Sequence, residues 1–274
     1  MKEDYFKIKN KVIVITGAGG LLGKEHAKII ALFGGIPILL DKDEISGQLL
    51  SAKILEVYDV ESLAFKVDIT DEKQVQEVLE KVKKKYKKID GLINNAANNP
   101  KIEKDKSKFL RLENFDLNVW REDINVSLTG SLICSKYFGT EISKNPKGGS
   151  IINVSSDLGI ISPDQRLYHK KDLPNHEQIV KPVSYSVVKF GIIGLTKYLA
   201  TYWPECNVRC NAICPGGIKN NQDSDFLREV TNRIPLGRLA KKDEYQSTII
   251  WMLSERSSYL NGSIISIDGG RTSW

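Results

Sequence analysis

Short apolar runs alternate with longer amphipathic stretches along nearly the whole chain, and this rhythm limits the fold more than any other feature. Lys11–Thr16, Ile36–Asp41, Leu63–Val67, Gly91–Asn94, Ser150–Val154, Val208–Ile213 and Ile264–Ile267 are strand-length and mostly apolar. Helical patterning fills Leu21–Phe33, Glu44–Glu56, a stretch capped at Thr70–Lys73 that continues to Tyr86, Trp120–Ile142, Ser184–Tyr202 and Asp243–Leu253. Strands separated by helices pair in parallel, with helices covering both faces of the sheet. An α/β fold follows. A chain of 274 residues, 41% hydrophobic, can bury a core as one domain or two. The unbroken alternation predicts one, over residues 1–274.

Charge and cysteine content narrow the function classes. The net charge of +6 is mild. It tolerates anionic ligands but comes without the dense basic helix or RNA-reading motif of a nucleic-acid binder. The strongest basic run, Lys81–Lys88, ends a predicted helix, where cations suit the dipole. It reads as a solvated helix end rather than a polyanion site. Cys206, Cys210 and Cys214 are spaced by four but run into a predicted strand with no histidine nearby. They read as buried small hydrophobes rather than zinc ligands. His169 and His176 also lack an obvious third ligand, so no metal is expected. With no signal peptide and no bilayer-length apolar run, the expectation is a cytoplasmic protein without a membrane partner.

The first strand leads into a glycine-rich turn, Thr16-Gly17-Ala18-Gly19-Gly20-Leu21-Leu22-Gly23. Glycines let backbone N–H groups approach a pyrophosphate, and the following helix offers its positive end. Asp41 closes the second strand, where a carboxylate can accept both ribose hydroxyls of an adenosine and repel a 2′-phosphate. NAD is therefore expected over NADP, with Lys42 softening the preference.

Tyr185 and Lys189 share a face of a predicted helix, and Ser156 follows the strand Ser150–Val154. An ammonium beside a phenol favours the phenolate. Bringing a tyrosine from a pKa near about 10 into working range at neutral pH takes about 4 kcal/mol. Tyr-x-x-x-Lys alone is a common pattern on exposed helices; here a nucleotide-binding start and a Pro-Gly turn downstream give it meaning.

Together these residues resemble the short-chain dehydrogenase/reductase family, over nearly the whole chain. The resemblance also takes in Asp68-Ile69, Asn94-Asn95-Ala96-Ala97, Asn125 within Ile124-Asn125-Val126, Pro215-Gly216, and Asn261-Gly262 with Asp268-Gly269-Gly270. It implies a Rossmann-type, doubly wound, seven-stranded parallel sheet in the order 3-2-1-4-5-6-7. In its terms Tyr185 carries the proton, Lys189 lowers its pKa and holds the nicotinamide ribose, Ser156 polarises the substrate oxygen, and Asn125 keeps a water relay behind Lys189. Ser155 competes with Ser156, but the family's serine stands three places before a glycine, here Gly159. The implied cofactor contacts are Gly17, Gly19, Gly20, Leu22, Gly23, Asp41, Asp68, Ile69, Asn94, Asn95, Ala96, Tyr185, Lys189, Pro215, Gly216 and Ile218. A homodimer or homotetramer is implied through the helices Trp120–Ile142 and Ser184–Tyr202.

Some residues depart from the family pattern. Leu21 stands at the usual third glycine, Ala97 follows Asn-Asn-Ala, and Asn220 replaces a frequent threonine. The shifted glycine, Pro215-Gly216-Gly217-Ile218 and Lys197-Tyr198-Leu199-Ala200 are similar to a subgroup attached to flagellin modification and nonulosonic-acid sugar pathways.

Ser156 and Tyr185 are separated by an insertion at about 160–183 that is longer than the resemblance implies. It carries Arg166, Tyr168, Lys170, Lys171 and Lys181. Two readings stand: a basic, aromatic wall for an anionic, sugar-like substrate, with Arg166, Tyr168 and Lys170 as its contacts, or an oligomer contact or solvated insertion. The stretch Asn98–Asn118 could form the other wall, although Lys101, Lys104, Lys106 and Lys108 read as solvated. The function expected is NAD(H)-dependent interconversion of a secondary alcohol and a ketone on a polar or anionic small molecule. A general alcohol, polyol or acyl-ketone reductase is the alternative. A non-catalytic dinucleotide sensor has no need for Asn125, Ser156, Tyr185 and Lys189 together.

Overall fold

The computed structural model describes residues 5–98 and 110–274; the lysines at 101, 104, 106 and 108 lie outside them. Seven strands form one sheet: β1 (Val12–Thr16), β2 (Ile36–Asp41), β3 (Leu63–Lys66), β4 (Gly91–Asn94), β5 (Gly149–Val154), β6 (Val208–Pro215) and β7 (Ile264–Ile267). Their order is β3-β2-β1-β4-β5-β6-β7, every pair parallel, as expected. Successive residues of a strand face opposite sides, so the sheet feeds two cores. Val12 and Val14 join one core, with the helix α3 (Glu72–Tyr86) and Phe138. Ile13 and Ile15 join the other, with α1 (Leu21–Leu32), α2 (Glu44–Tyr58) and the helix Gln246–Leu253.

Order reverses between β1 and β4, and the chain ends there are stitched together. Thr16 Oγ1 accepts from the N–H groups of Asn95 and Ala96, both at 3.0 Å. Asn95 Nδ2 donates back to the carbonyls of Thr16 and Gly17, again at 3.0 Å. A crevice at this switch point is where an open α/β sheet receives a ligand.

Three elements differ from expectation. The helix expected over Trp120–Ile142 starts at Leu117, capped by the Asp116 carboxylate, which accepts from Asn118 N–H. It runs as α turns Leu117–Ile124, Gly130–Cys134 and Thr140–Ile142 joined by π turns Asn125–Thr129 and Ser135–Gly139. A π turn inserts a residue and rotates the face that follows, which a steady helical period does not anticipate. Gly130 brings this helix against the cleft: a Cβ there would stand 2.6 Å from Ile69 Cδ1. The helix expected from Asp243 starts at Gln246. A helix at Ser224–Thr231 was not expected; Asp223 caps it by accepting from the N–H groups of Asp225 and Phe226.

The insertion folds on itself and onto that short helix. Gln178 binds the Lys170 backbone at both ends, accepting from its N–H at 2.7 Å and donating to its carbonyl at 2.9 Å. Leu167 packs with Val230, Ile234 and Leu239 in a small third core, and the Tyr168 ring lies 5.9 Å from that of Phe226.

Candidate active site

A cleft of about 720 Å³ runs along the carboxyl ends of the strands, from the glycine turn to Tyr185 and the insertion. That is an ordinary size for a cofactor-and-substrate site. At one end, Gly17 takes φ +62°, and a Cβ on it would stand 2.8 Å from Ala96 Cα. Helix α1 follows Gly20, which offers it no side-chain cap and leaves its first N–H groups to the cleft. Asp41 lies across the turn, its carboxylate accepting from the N–H groups of Gly19 at 2.7 Å and Asp43 at 2.9 Å. Backbone donors at a helix start, a turn that only glycine fits and an acid beyond it suit a pyrophosphate and an adenosine ribose.

Ser156, Tyr185 and Lys189 converge at the far end. The two serines separate by face. Ser155 Oγ donates to the Lys189 carbonyl at 2.8 Å and so pins the helix Val183–Ala200 to the sheet. Ser156 turns into the cleft, donates to Asp157 Oδ1 at 2.8 Å, and lies within hydrogen-bonding reach of the Tyr185 phenol. Gly159 permits the Ser155–Lys189 contact, since a Cβ would meet Ser155 Oγ at 2.3 Å and the Lys189 carbonyl at 2.8 Å.

Lys189 Nζ donates to the Val154 carbonyl at 3.0 Å and stands 5.8 Å from the Tyr185 ring centroid. Burial lowers its pKa to about 8, and the charge of Lys181 adds to the fall. The expected acidification of the phenol by Lys189 is not what this structure shows. Burial pushes Tyr185 above the ordinary tyrosine value, the Ser156 bond pulls it back, and the Asp157 charge adds to the rise. The desolvation of a buried phenolate outweighs an ammonium that is bonded elsewhere.

Of the expected cofactor contacts, Gly17, Gly19, Gly20, Leu22, Asp41, Ile69, Asn95, Ala96, Tyr185, Lys189, Pro215, Gly216 and Ile218 line the cleft. Gly23, Asp68 and Asn94 do not. Gly23 packs on the turn, where a Cβ would meet the Gly17 carbonyl at 2.2 Å. Asp68 accepts from Thr70 N–H and pairs with Lys42 at 3.1 Å. Asn94 is buried in the sheet, donating to Asn153 Oδ1 and Ser135 Oγ. Asn125 is exposed and also off the cleft; the buried polar side chain beside it is Ser127, whose Oγ has no partner among the described residues.

Of the three insertion residues expected as substrate contacts, Arg166, Tyr168 and Lys170, only Tyr168 lines the cleft. Arg166 is 77% exposed and paired with Asp164, and Lys170 pairs with Asp223 at 2.9 Å on the surface. The Tyr185 end of the cleft holds instead three charged residues outside the expected site: Asp157, Lys181 and Arg271. Arg271 reaches Asp157 Oδ2 at 2.7 Å in a buried ion pair, the side chains 10% and 4% exposed. In the sequence Lys181 stands out only as one of the basic residues of the insertion; Arg271 comes from the far terminus and carries no signal.

Residues 11–168 match the sequence profile described as short chain dehydrogenase, and residues 174–272 match one described as enoyl-(acyl carrier protein) reductase. The chain is 35% identical to the 3-oxoacyl-(acyl-carrier-protein) reductase FabG of Thermotoga maritima, over 96% of its length and 98% of that protein's. It is 28% identical to the post-translational flagellin modification protein A of Campylobacter coli, over 96% and 98%. Among solved structures it resembles a short chain dehydrogenase from Leptospira borgpetersenii with bound NAD+ (TM-score 0.82, 29% identity, 97% and 94% coverage). The chain belongs to the short-chain dehydrogenase/reductase family, whose members bind nicotinamide dinucleotides. It is an oxidoreductase acting on CH–OH groups.

The Asp157–Arg271 pair yields a stability prediction. Arg271→Leu strands a buried carboxylate and should lower the unfolding free energy by about 3–5 kcal/mol in urea titrations. Adding Asp157→Asn to it should recover much of that loss.

Proposed function

We propose that the chain is a single-domain, NAD(H)-dependent dehydrogenase that interconverts a secondary alcohol and a ketone on a polar, sugar-like or anionic sugar-derived metabolite. One observation carries the reading: Ser156, Tyr185 and Lys189 meet at the end of the cleft whose other end is the glycine turn and Asp41. When bound, the nicotinamide supplies the hydride acceptor in one direction and the donor in the other. As the phenolate, Tyr185 Oη takes the hydroxyl proton while the alcohol loses hydride, and as the phenol it gives a proton to the oxygen in reduction. Ser156 Oγ donates to the substrate oxygen, which competes with Asp157 Oδ1 for that proton. Lys189 holds the nicotinamide ribose and adds positive charge beside the phenol. No relay role is retained for Asn125.

Asp41 supports NAD over NADP, since its carboxylate stands where a 2′-phosphate would add negative charge. A homodimer or homotetramer would cover Leu117, Leu132, Phe190 and Tyr198, which are exposed on the two long helices. The four free cysteines suit a reducing cytoplasm. Similarity to the flagellin modification protein supports the sugar-pathway subgroup. The identity to a 3-oxoacyl reductase favours a second reading, reduction of an acyl ketone. Efficient turnover of small neutral ketones would promote it.

Tyr185→Phe should lower kcat by about 10²–10⁴-fold, the range of a lost general acid–base group, with NAD binding little changed. Wild-type rates in that variant would refute the scheme. Asp41→Ala should weaken NAD binding by roughly tenfold and NADP binding far less, measured by fluorescence titration of the reduced cofactors. Equal losses for both would refute the ribose assignment.

A further inference from the structure

Lys181 is a cleft lysine that the proposed proton and hydride transfer does not use. It stands just before Pro182, which begins the helix Val183–Ala200, four positions ahead of Tyr185. One side chain clamps its backbone: Lys181 N–H donates to Gln165 Oε1 at 2.8 Å, and its carbonyl accepts from Gln165 Nε2 at 3.3 Å. The ammonium is thereby held over the Tyr185 ring, 3.7 Å from its centroid.

Among the described residues, Lys181 Nζ makes no hydrogen bond or ion pair to an oxygen. The carboxylates whose charge it feels are engaged elsewhere. Asp157 accepts from Ser156 Oγ, Leu158 N–H and Arg271, and Asp123 accepts from Ser184 Oγ. Burial lowers the Lys181 pKa to about 8, with Asp157 and Asp123 opposing the fall. Removing an ammonium from water costs more than the face of one aromatic ring returns. A cation held this way, lining the cleft with no oxygen partner, is matched to an oxygen that a ligand brings.

We propose that Lys181 anchors a carboxylate or phosphate of the substrate, within a few bonds of the carbon that reacts. The inference rests on the reading of Tyr185 as the proton carrier. The closeness follows from the geometry, because the ammonium lies over the ring that bears the reacting hydroxyl. Lys189 is not an equivalent anchor, since its Nζ is bonded to the Val154 carbonyl. Arg271 lines the same cleft with its guanidinium tied to Asp157 through Nη1 alone, which leaves the rest of the planar fork to an anion. Leu167 and Phe226 also line this end, and an apolar wall strengthens such a contact. The substrate class is a small hydroxy or oxo acid, or its phosphate counterpart, rather than a neutral alcohol.

The test compares matched pairs with NAD+: glycerate against glycerol, gluconate against sorbitol, and glycerol 3-phosphate against glycerol. Wild-type protein should prefer the charged member in kcat/KM, and the favoured pair tells carboxylate from phosphate. Lys181→Met should reduce that preference by roughly 10- to 100-fold, the value of a charge-assisted bond. Arg166→Ala/Lys170→Ala, on the surface, should leave it unchanged. A melting temperature of Lys181→Met no lower than wild type would show that the lysine is not there for stability. Wild-type preference for the neutral members, or an unaltered preference in Lys181→Met, would overturn the inference. If no member turns over, the hydride-transfer reading fails for this panel, and binding decides the point. Perturbation of bound-NADH fluorescence by the anions, lost in Lys181→Met, would still support the anchor; no response in the wild type would overturn it.

Discussion

A half-buried phenol with an ammonium near each end of its helical turn is the arrangement on which this site depends. Lys181, Tyr185 and Lys189 follow one another at intervals of four, Nζ of the first 3.7 Å and of the last 5.8 Å from the ring centroid. Burial opposes every charge in the group: it raises the phenol and lowers both lysines. The protein alone therefore keeps the proton on Tyr185. Charge brought by ligands changes the balance, since a positively charged oxidised nicotinamide on one side favours the phenolate and an anion beside Lys181 keeps that lysine protonated.

The fold places this cluster by topology rather than by any special local device. The crossover between β1 and β4 opens the crevice, and Thr16 and Asn95 fix its two lips. Ser155 then pins the helix bearing Tyr185 to the end of β5, and the Asp157–Arg271 pair ties the far terminus to the same corner. The insertion closes the end through Leu167 and Tyr168, packed on a helix that follows β6. Arg166 and Lys170 pair with Asp164 and Asp223 outside, so the insertion turns Leu167, Tyr168 and the single cation Lys181 to the cleft.

What was legible in the sequence follows the range of the interactions involved. Strand order depends on local period and read correctly; the glycine turn, Asp41 and Ser156 depend on short spacings, and all of them line the cleft. Asn125 lies off the cleft at the start of a π turn that the helical period did not anticipate, its side chain exposed while Ser127 is buried. Arg166 and Lys170 lie off the cleft, since charge in a sequence says nothing about partners and Asp164 and Asp223 are theirs. Asp68 and Asn94 sat at the right strand ends but were taken up by hydrogen bonds of the scaffold. The helix Ser224–Thr231 is too short for its period to stand out, and Arg271 reaches the cleft from a segment whose pairing with Asp157 only the fold creates.

The most direct measurement is a spectroscopic titration of the phenol itself. Tyrosinate absorbance of wild type minus Tyr185→Phe, followed against pH with and without NAD+, isolates the ionisation of this one side chain. The account predicts a transition above the ordinary tyrosine range in the protein alone and a clear downward displacement in the NAD+ complex. A transition at the same pH in both would contradict it.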